Sequence, residues 1–199
     1  SEALSIGLVN RVFPDAESLL EGVKKIAGMY LLLTKKGTLF LADTTVNIKP
    51  TAEEIADITL MVAKEVRNFN IEPRIAMLSY SNFGSSDTEE AKMMAEATKI
   101  VKQRNPSLIV DGEMQGMLAF NKDILKENYP FSELVDVDVN VLIFPNLTAG
   151  NVAYHLLKAI GGVDIIGPIL LGLKKPVNVL QLGSGVRNII NMATVAVVD

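Results

Sequence analysis

Four serines and a glycine crowd into Ser79–Ser86, SYSNFGSS, directly after a short apolar run at Arg74–Leu78 and before helical spacing resumes at Thr88. A strand that hands over to a helix through such a loop exposes backbone N–H groups and hydroxyls. Ser79, Ser81, Gly84 and Ser85 can therefore receive an anion. The same composition also builds ordinary turns and caps, and no Gly-Lys-Ser/Thr follows to make a nucleotide phosphate loop. Asp111 and Glu113, in VDGEMQG, follow a second apolar run at Leu108–Val110. That places them just past a strand end, the side of an α/β sheet where ligands collect. As carboxylates at a loop start they can equally act as caps. Near the end of the chain, Gly183-Ser184-Gly185 makes a turn that permits close backbone approach. Arg187 follows it, either as an anion contact with Lys174 or Lys175, or as a solvated surface charge.

Other chemistry is poorly supplied. The sequence has no cysteine, which excludes disulfides, thiolate catalysis and cysteine-based zinc sites. Its sole histidine, His155, has no histidine or cysteine partner for a metal, and it lies one step from a stripe of Val152, Leu156 and Ile160. It reads as a packed or interfacial residue. Asn146-Leu147-Thr148 matches a glycosylation sequon but reads better as a helix cap in a chain without a secretory signal. A net charge of -4 and a pI near 5.1 argue against a nucleic-acid surface, which needs clustered Lys and Arg. No metal ligand set emerges.

The elements that must position these residues follow from periodicity. A helix is expected over Pro14–Ile26, then a β-hairpin of Met29–Thr34 and Leu39–Thr45 turning at Lys35-Lys36-Gly37. Thr51 and Glu54 form a capping box for a helix that runs to about Asn70, burying Ile55, Ile58, Met61, Val62, Val66 and Phe69. Arg74–Leu78 is a strand and Thr88–Lys102 a helix. Leu108–Val110, Val141–Phe144 and Val177–Leu180 read as further strands, with helices near Gln115–Glu127 and Thr148–Ile160, and a last helix starting near Arg187. This alternation predicts a three-layer α/β/α domain around a mostly parallel mixed sheet. The 199 residues, 49% of them hydrophobic, suffice for one substantial core. No run approaches the ~20 apolar residues of a membrane span. The opening SEALSIGL has no initiating Met, basic region or apolar core of a signal peptide, so the chain reads as a piece of a longer protein.

Four blocks now stand in order: KKGTLFLADTTVN (35–47), SYSNFGSS, VDGEMQG (110–116), and a C-terminal succession of PNLTAGNVAYHLLKAIGG, IGPILLGLKKPVN and LQLGSGVRNIINMATVAVVD. Together they closely resemble the phosphotransacetylase family. That resemblance implies an isocitrate/isopropylmalate dehydrogenase-like fold, with residues 1–199 as the C-terminal portion of a phosphotransacetylase-like domain. It also places the DGE segment at the family's cleft.

The resemblance further implies a departure. Catalytic members follow the PVN stretch with a Ser-Arg pair and carry an Asp six positions beyond that Arg; here those positions are Gln181, Leu182 and Asn188. An isobutyl group cannot make the paired, charge-assisted bonds by which a guanidinium holds phosphate, and an amide cannot act as a carboxylate base. SNFGSS, DGEM and the SGVRNIINMATVAVV ending are more similar to the C-terminal domain of large NADP-dependent malic enzymes. The expectation is a non-catalytic, homodimerising domain in a cytoplasmic protein. Acetyl-CoA would be its effector, bordered by Ser79, Ser81, Gly84, Ser85, Asp111, Glu113, Gly183, Ser184 and Arg187. NADP and Mg or Mn would serve a malate-oxidising domain in the same parent chain. A catalytic phosphate acetyltransferase is the alternative, and a purely structural dimerisation module a third reading.

Overall fold

The computed structural model describes residues 25–35, 37–173, 177–180 and 185–198. The helix expected over Pro14–Ile26 lies outside them except for Lys25 and Ile26, which lead non-helically into the first strand. β1 (Ala27–Thr34) and β2 (Gly37–Ala42) form the expected hairpin, with Tyr30 opposite Leu41. β2 ends earlier than Thr45 because the buried Asp43 carboxylate gathers the amides that would continue it. Its Oδ1 accepts from the N–H groups of Gly28 (3.0 Å), Thr45 (2.9 Å) and Val46 (3.1 Å), and its Oδ2 from that of Asn47 (2.8 Å).

α1 (Ala52–Asn68) starts at the capping box: Thr51 Oγ1 accepts from the Glu54 amide and the Glu54 carboxylate from the Thr51 amide. Lys25, hydrogen-bonded to Glu54 at 2.6 Å, holds that carboxyl below its ordinary pKa with help from the Thr51 amide. β3 (Arg74–Leu78) and α2 (Glu89–Arg104) follow as expected. β4 spans Ile109–Met114, so Asp111, Gly112 and Glu113 lie within a strand and not beyond its end. The sequence reading is corrected here by pairing: β4 runs parallel to β3, with Ala76 opposite Asp111 and Met77 opposite Gly112, and ladder bonds carry the strand through the charged residues. Adding a Cβ to Gly112 would bring it within 2.6 Å of the Met77 carbonyl oxygen, so the approach demands glycine.

The single helix expected over Gln115–Glu127 is two, α3 (Gly116–Ala119) and α4 (Lys122–Asn128), because the Asn121 side chain caps the second by accepting from the Ile124 amide. β5 (Val141–Ile143) leads to α5 (Leu147–Ile160), where Asn146 is indeed the N-cap, accepting from the Ala149 amide. β6 (Asp164–Leu171) was absent from the sequence reading. Pro168 argues against a strand, but the β1–β6 register shifts between Met29 and Leu31, so the proline sits at an irregularity where a missing donor is tolerated. β7 is only Val177–Asn178, and α6 covers Val186–Val198.

The strands form one seven-stranded sheet in the order β4-β3-β5-β2-β1-β6-β7. Its β4-β3-β5-β2 half is parallel and its β2-β1-β6-β7 half antiparallel, so the sheet is mixed and only half parallel. The hairpins at the second half account for the difference. α1 and α2 cover one face over Met29, Phe40, Ile75, Met77, Val110 and Val141. α3, α4 and α5 cover the other over Tyr30, Leu41, Leu78, Met114 and Leu142. The three-layer expectation holds.

Candidate functional site

At the carboxyl ends of the parallel strands, the 79–86 loop is closed on a carboxylate. Glu113, 2% exposed, accepts at Oε1 from the Ser81 hydroxyl (2.7 Å) and the Gly84 amide (2.8 Å). A hydroxyl has one proton, so Ser81, having given its own to Glu113, must receive from Ser85 across their 3.1 Å contact. Ser81 Oγ also accepts from the Ser86 amide, Ser85 Oγ from the Asn82 amide, and Ser79 Oγ from the Ser81 amide. The amides of Ser79, Phe83 and Ser85 bond to backbone carbonyls. Donors expected to face an external anion are thus engaged by Glu113 and by the loop itself.

Asp111 faces a different partner. Its Oδ1 accepts from Lys102 at 2.8 Å and its Oδ2 from the Glu133 amide at 3.0 Å, while Lys102 also pairs with the Glu133 carboxylate at 3.0 Å. Burial works to lower the Lys102 ammonium, but the two carboxylates outweigh it and hold the group above its ordinary pKa. This cluster ties α2 and the 129–135 segment to the edge strand β4, which it also protects with charge.

Arg187 and Asn188 stand elsewhere. Arg187 pairs with Asp164 at 2.9 Å, at the end of β6 that lies beside Leu33 and the β1–β2 turn, opposite the carboxyl ends of the parallel strands. Four strand intervals separate β3 from β6, roughly 19 Å across the sheet, and the two groups also sit at opposite ends of the strands. The segments Ser79–Ser86 and Asp111–Glu113 therefore do not share one cleft with Arg187 within this chain. Gln181, Leu182, Gly183, Ser184, Lys174 and Lys175 lie outside the described residues.

Asn188 lines a cavity of about 180 Å³ with Tyr30, Tyr154, Lys158, Val163, Asp164, Ile165, Leu180 and Met192 among its walls. The Tyr30 and Tyr154 rings stack at 3.9 Å and 9°, and both are nearly buried. Burial, reinforced by the hydrogen bond to Tyr154, pushes the Tyr30 phenol far above its ordinary pKa. The folded state thus binds this proton more tightly than the unfolded chain, so the associated stability is complete below about pH 10 and is lost as pH rises beyond it. Tyr30→Phe is expected to flatten the fall in urea midpoint measured from about pH 9 to 11. An unchanged slope would remove Tyr30 from that account.

His155 is exposed and leans its ring on Tyr154 at 4.4 Å. His155 was read as packed or interfacial, and the stripe beside it, Val152, Leu156 and Ile160, is itself 52%, 55% and 82% exposed. The buried face of α5 is instead the one bearing Gly150 and Tyr154, because Gly150 packs against the Asp43 carbonyl, which a Cβ would approach to 2.3 Å. Sequence reasoning did not single out Asp43, Tyr30, Tyr154 or Lys158. The ADTTVN block contained Asp43 but offered no periodicity that distinguishes a loop-closing carboxylate from a surface one.

Residues 12–197 match the phosphate acetyl/butaryl transferase family. The chain belongs to that family. Among curated proteins it is 48% identical over 92% of its length to an NADP-dependent malic enzyme of Haemophilus influenzae, of which it covers 24%. It is 38% identical over 88% of its length to a phosphate acetyltransferase of Bacillus subtilis, covering 54% of that protein. A solved phosphotransacetylase from Streptococcus pyogenes superposes with a TM-score of 0.84 at 32% identity, over 98% of this chain and 64% of that one. The chain thus spans about a quarter of the malic enzyme and over half of these two transferases. No helix among the described residues is long and apolar enough to cross a membrane.

Proposed function

We propose that this chain is a non-catalytic regulatory domain of an NADP-dependent malic enzyme in the cytoplasm, binding acyl-CoA without turning it over. The finer fold label, isocitrate/isopropylmalate dehydrogenase-like, belongs to the same reading. The observation that carries its non-catalytic half is the cavity beside Asn188. Transfer of an acetyl group to coenzyme A needs an acceptor for the thiol proton. The position where catalytic relatives have an acid is an amide here, and the lining carboxylate, Asp164, is engaged in an ion pair with Arg187. Leu182 in place of the arginine removes the phosphate clamp as well. The parent would convert malate to pyruvate and CO2 with NADP and Mg or Mn at residues outside this chain.

In this reading acetyl-CoA borders Ser79, Ser81, Gly84 and Ser85 at the carboxyl edge, with Glu113 and Asp111 holding the loop and strand in shape. Exposed Tyr80, Met117, Phe120 and Phe131 supply apolar surface at the same end of the fold. Arg187 belongs to a separate region that one effector cannot reach together with that loop in one chain. An effector preferring one conformation of the assembled enzyme would shift its population. The test is malate oxidation by the full-length enzyme titrated with acetyl-CoA. A changed velocity or malate dependence is expected, with the change weakened by a bulky side chain at Gly84; no response at saturating acetyl-CoA would overturn the proposal. The alternative, a catalytic phosphate acetyltransferase, draws support from the Bacillus subtilis and Streptococcus pyogenes relatives.

We also propose that the domain forms a homodimer through α5, whose Val152, Leu156 and Ile160 present an apolar stripe to solvent. Light scattering of the full-length protein is expected to show at least a dimer, and Leu156→Asp to lower its mass at micromolar concentration. A monomer at all concentrations, or an unchanged assembly in Leu156→Asp, would count against this interface.

A further inference from the structure

We propose that α6 and strand β7 are the docking surface for a further part of the same polypeptide, one that lies outside residues 1–199. The inference rests on family membership alone and holds whether the domain is regulatory or catalytic.

α6 (VRNIINMATVAVV) carries one charged residue, Arg187, and its apolar residues fall in two stripes. At roughly 100° per residue, Met192 and Val195 point to one side, and both are buried. Val186, Ile189, Ile190 and Ala193, spaced i, i+3, i+4 and i+7, point to the opposite side. All four are exposed, Val186 at 73% and Ile190 at 59%. Arg187, Asn191 and Thr194 separate the stripes along one flank. A helix apolar on two opposite faces has the composition of one buried between two layers, and among the described residues only one of those layers is present.

The neighbouring strand shows the same deficit. β7 pairs with β6 through Ile169–Asn178 and Leu170–Val177, and no described strand pairs with its other edge. α6 packs on both strands. Val177 is exposed, as are Val179 and Leu180 just after the strand. An open apolar strand edge beside an open apolar helix face marks an interaction surface.

The relatives point to the occupant. The family match runs through α6, to residue 197. The Streptococcus pyogenes phosphotransacetylase superposes over 98% of this chain, which is only 64% of its own, and the Bacillus subtilis phosphate acetyltransferase is covered to 54%. Members of the family thus carry substantial further chain, and they carry it in transferases, so it is not peculiar to the malic enzymes. A second copy would cover this face only on association, whereas a helix with so narrow a polar flank needs cover within the monomer.

The test is photo-crosslinking in the full-length protein, with p-benzoylphenylalanine replacing Ile190 or, as an exposed control on α1, Lys64. Position 190 is expected to crosslink within one polypeptide to residues outside 1–199, and position 64 to give at least tenfold less of that product. The bulky group can itself block docking, so Ile190→Cys is followed in parallel by the labelling rate of its own peptide, expected to be at least tenfold slower than for Lys64→Cys. Crosslinking of position 190 to a second copy would overturn the proposal, and so would a thiol at position 190 that labels as fast as one at position 64. Loss of the acetyl-CoA response with position 190 still covered would count against the regulatory reading alone.

Discussion

Asp43→Ala is expected to lower the melting temperature of the protein by about 10 °C, a loss of about 3–5 kcal/mol. Asp43 is 4% exposed and accepts from four backbone amides as well as from the Asn47 side chain. Each donor left without a partner costs about 1–3 kcal/mol where water cannot replace the carboxylate, and relaxation recovers part of the sum. The damage should spread. The loop that Asp43 folds is the surface on which α5 begins, through Gly150 against the Asp43 carbonyl and the Asn151 side chain donating to the Thr44 carbonyl at 3.3 Å. Asn47→Ala, which removes one donor and leaves the amide bonds intact, should cost only about 1 kcal/mol. Equal losses for the two variants, by thermal unfolding, would show that the carboxylate does not organise this loop.

The second large effect is local. Glu113→Ala is expected to destabilise the fold by about 2–4 kcal/mol and to release the 79–86 loop, since the Ser81 hydroxyl and Gly84 amide both lose their acceptor in a buried setting. Amide hydrogen exchange should accelerate most at Gly84 and Ser86, whose protection depends on Glu113 directly or through Ser81. Glu113→Gln keeps an oxygen for both donors and should retain most of the protection. A Glu113→Ala variant with wild-type exchange at Gly84 and Ser86 would mean that the loop holds itself.

The layers were legible in the sequence because helical spacing is long and redundant. The α1 stripe of Ile55, Ile58, Val62 and Val66 and its capping box identify that helix without any tertiary information. β6 was not legible: Gly167-Pro168 looks like a break, and only its pairing with β1 shows that the break is an irregularity within a strand. The direction in which the α5 stripe faces was not legible for a related reason. Val152, Leu156 and Ile160 have core-like spacing, but the approach of α5 to the sheet is set by a glycine and a tyrosine, so the apolar stripe faces outward.

The candidate residues were found more easily than their geometry. Ser81, Gly84, Ser85 and Glu113 do meet, from segments some thirty residues apart, but as a loop closed around its own carboxylate. Arg187 was read as a free cation near the same place, and chain order alone could not reveal that β6 carries its partner Asp164 to the other side of the sheet. Tyr30, Tyr154 and Lys158 gave no signal because two tyrosines on separate elements become a site only once β1 and α5 are packed together.

The central claim is that the domain binds acetyl-CoA and does not turn it over, and one experiment addresses both halves. Full-length protein at equilibrium with acetyl-CoA and phosphate should show saturable acetyl-CoA binding by calorimetry, while the same samples, assayed over hours, accumulate no acetyl phosphate above the protein-free control. Acetyl phosphate formed in proportion to protein, and abolished by Asn188→Ala, would contradict the account and make the domain a phosphate acetyltransferase.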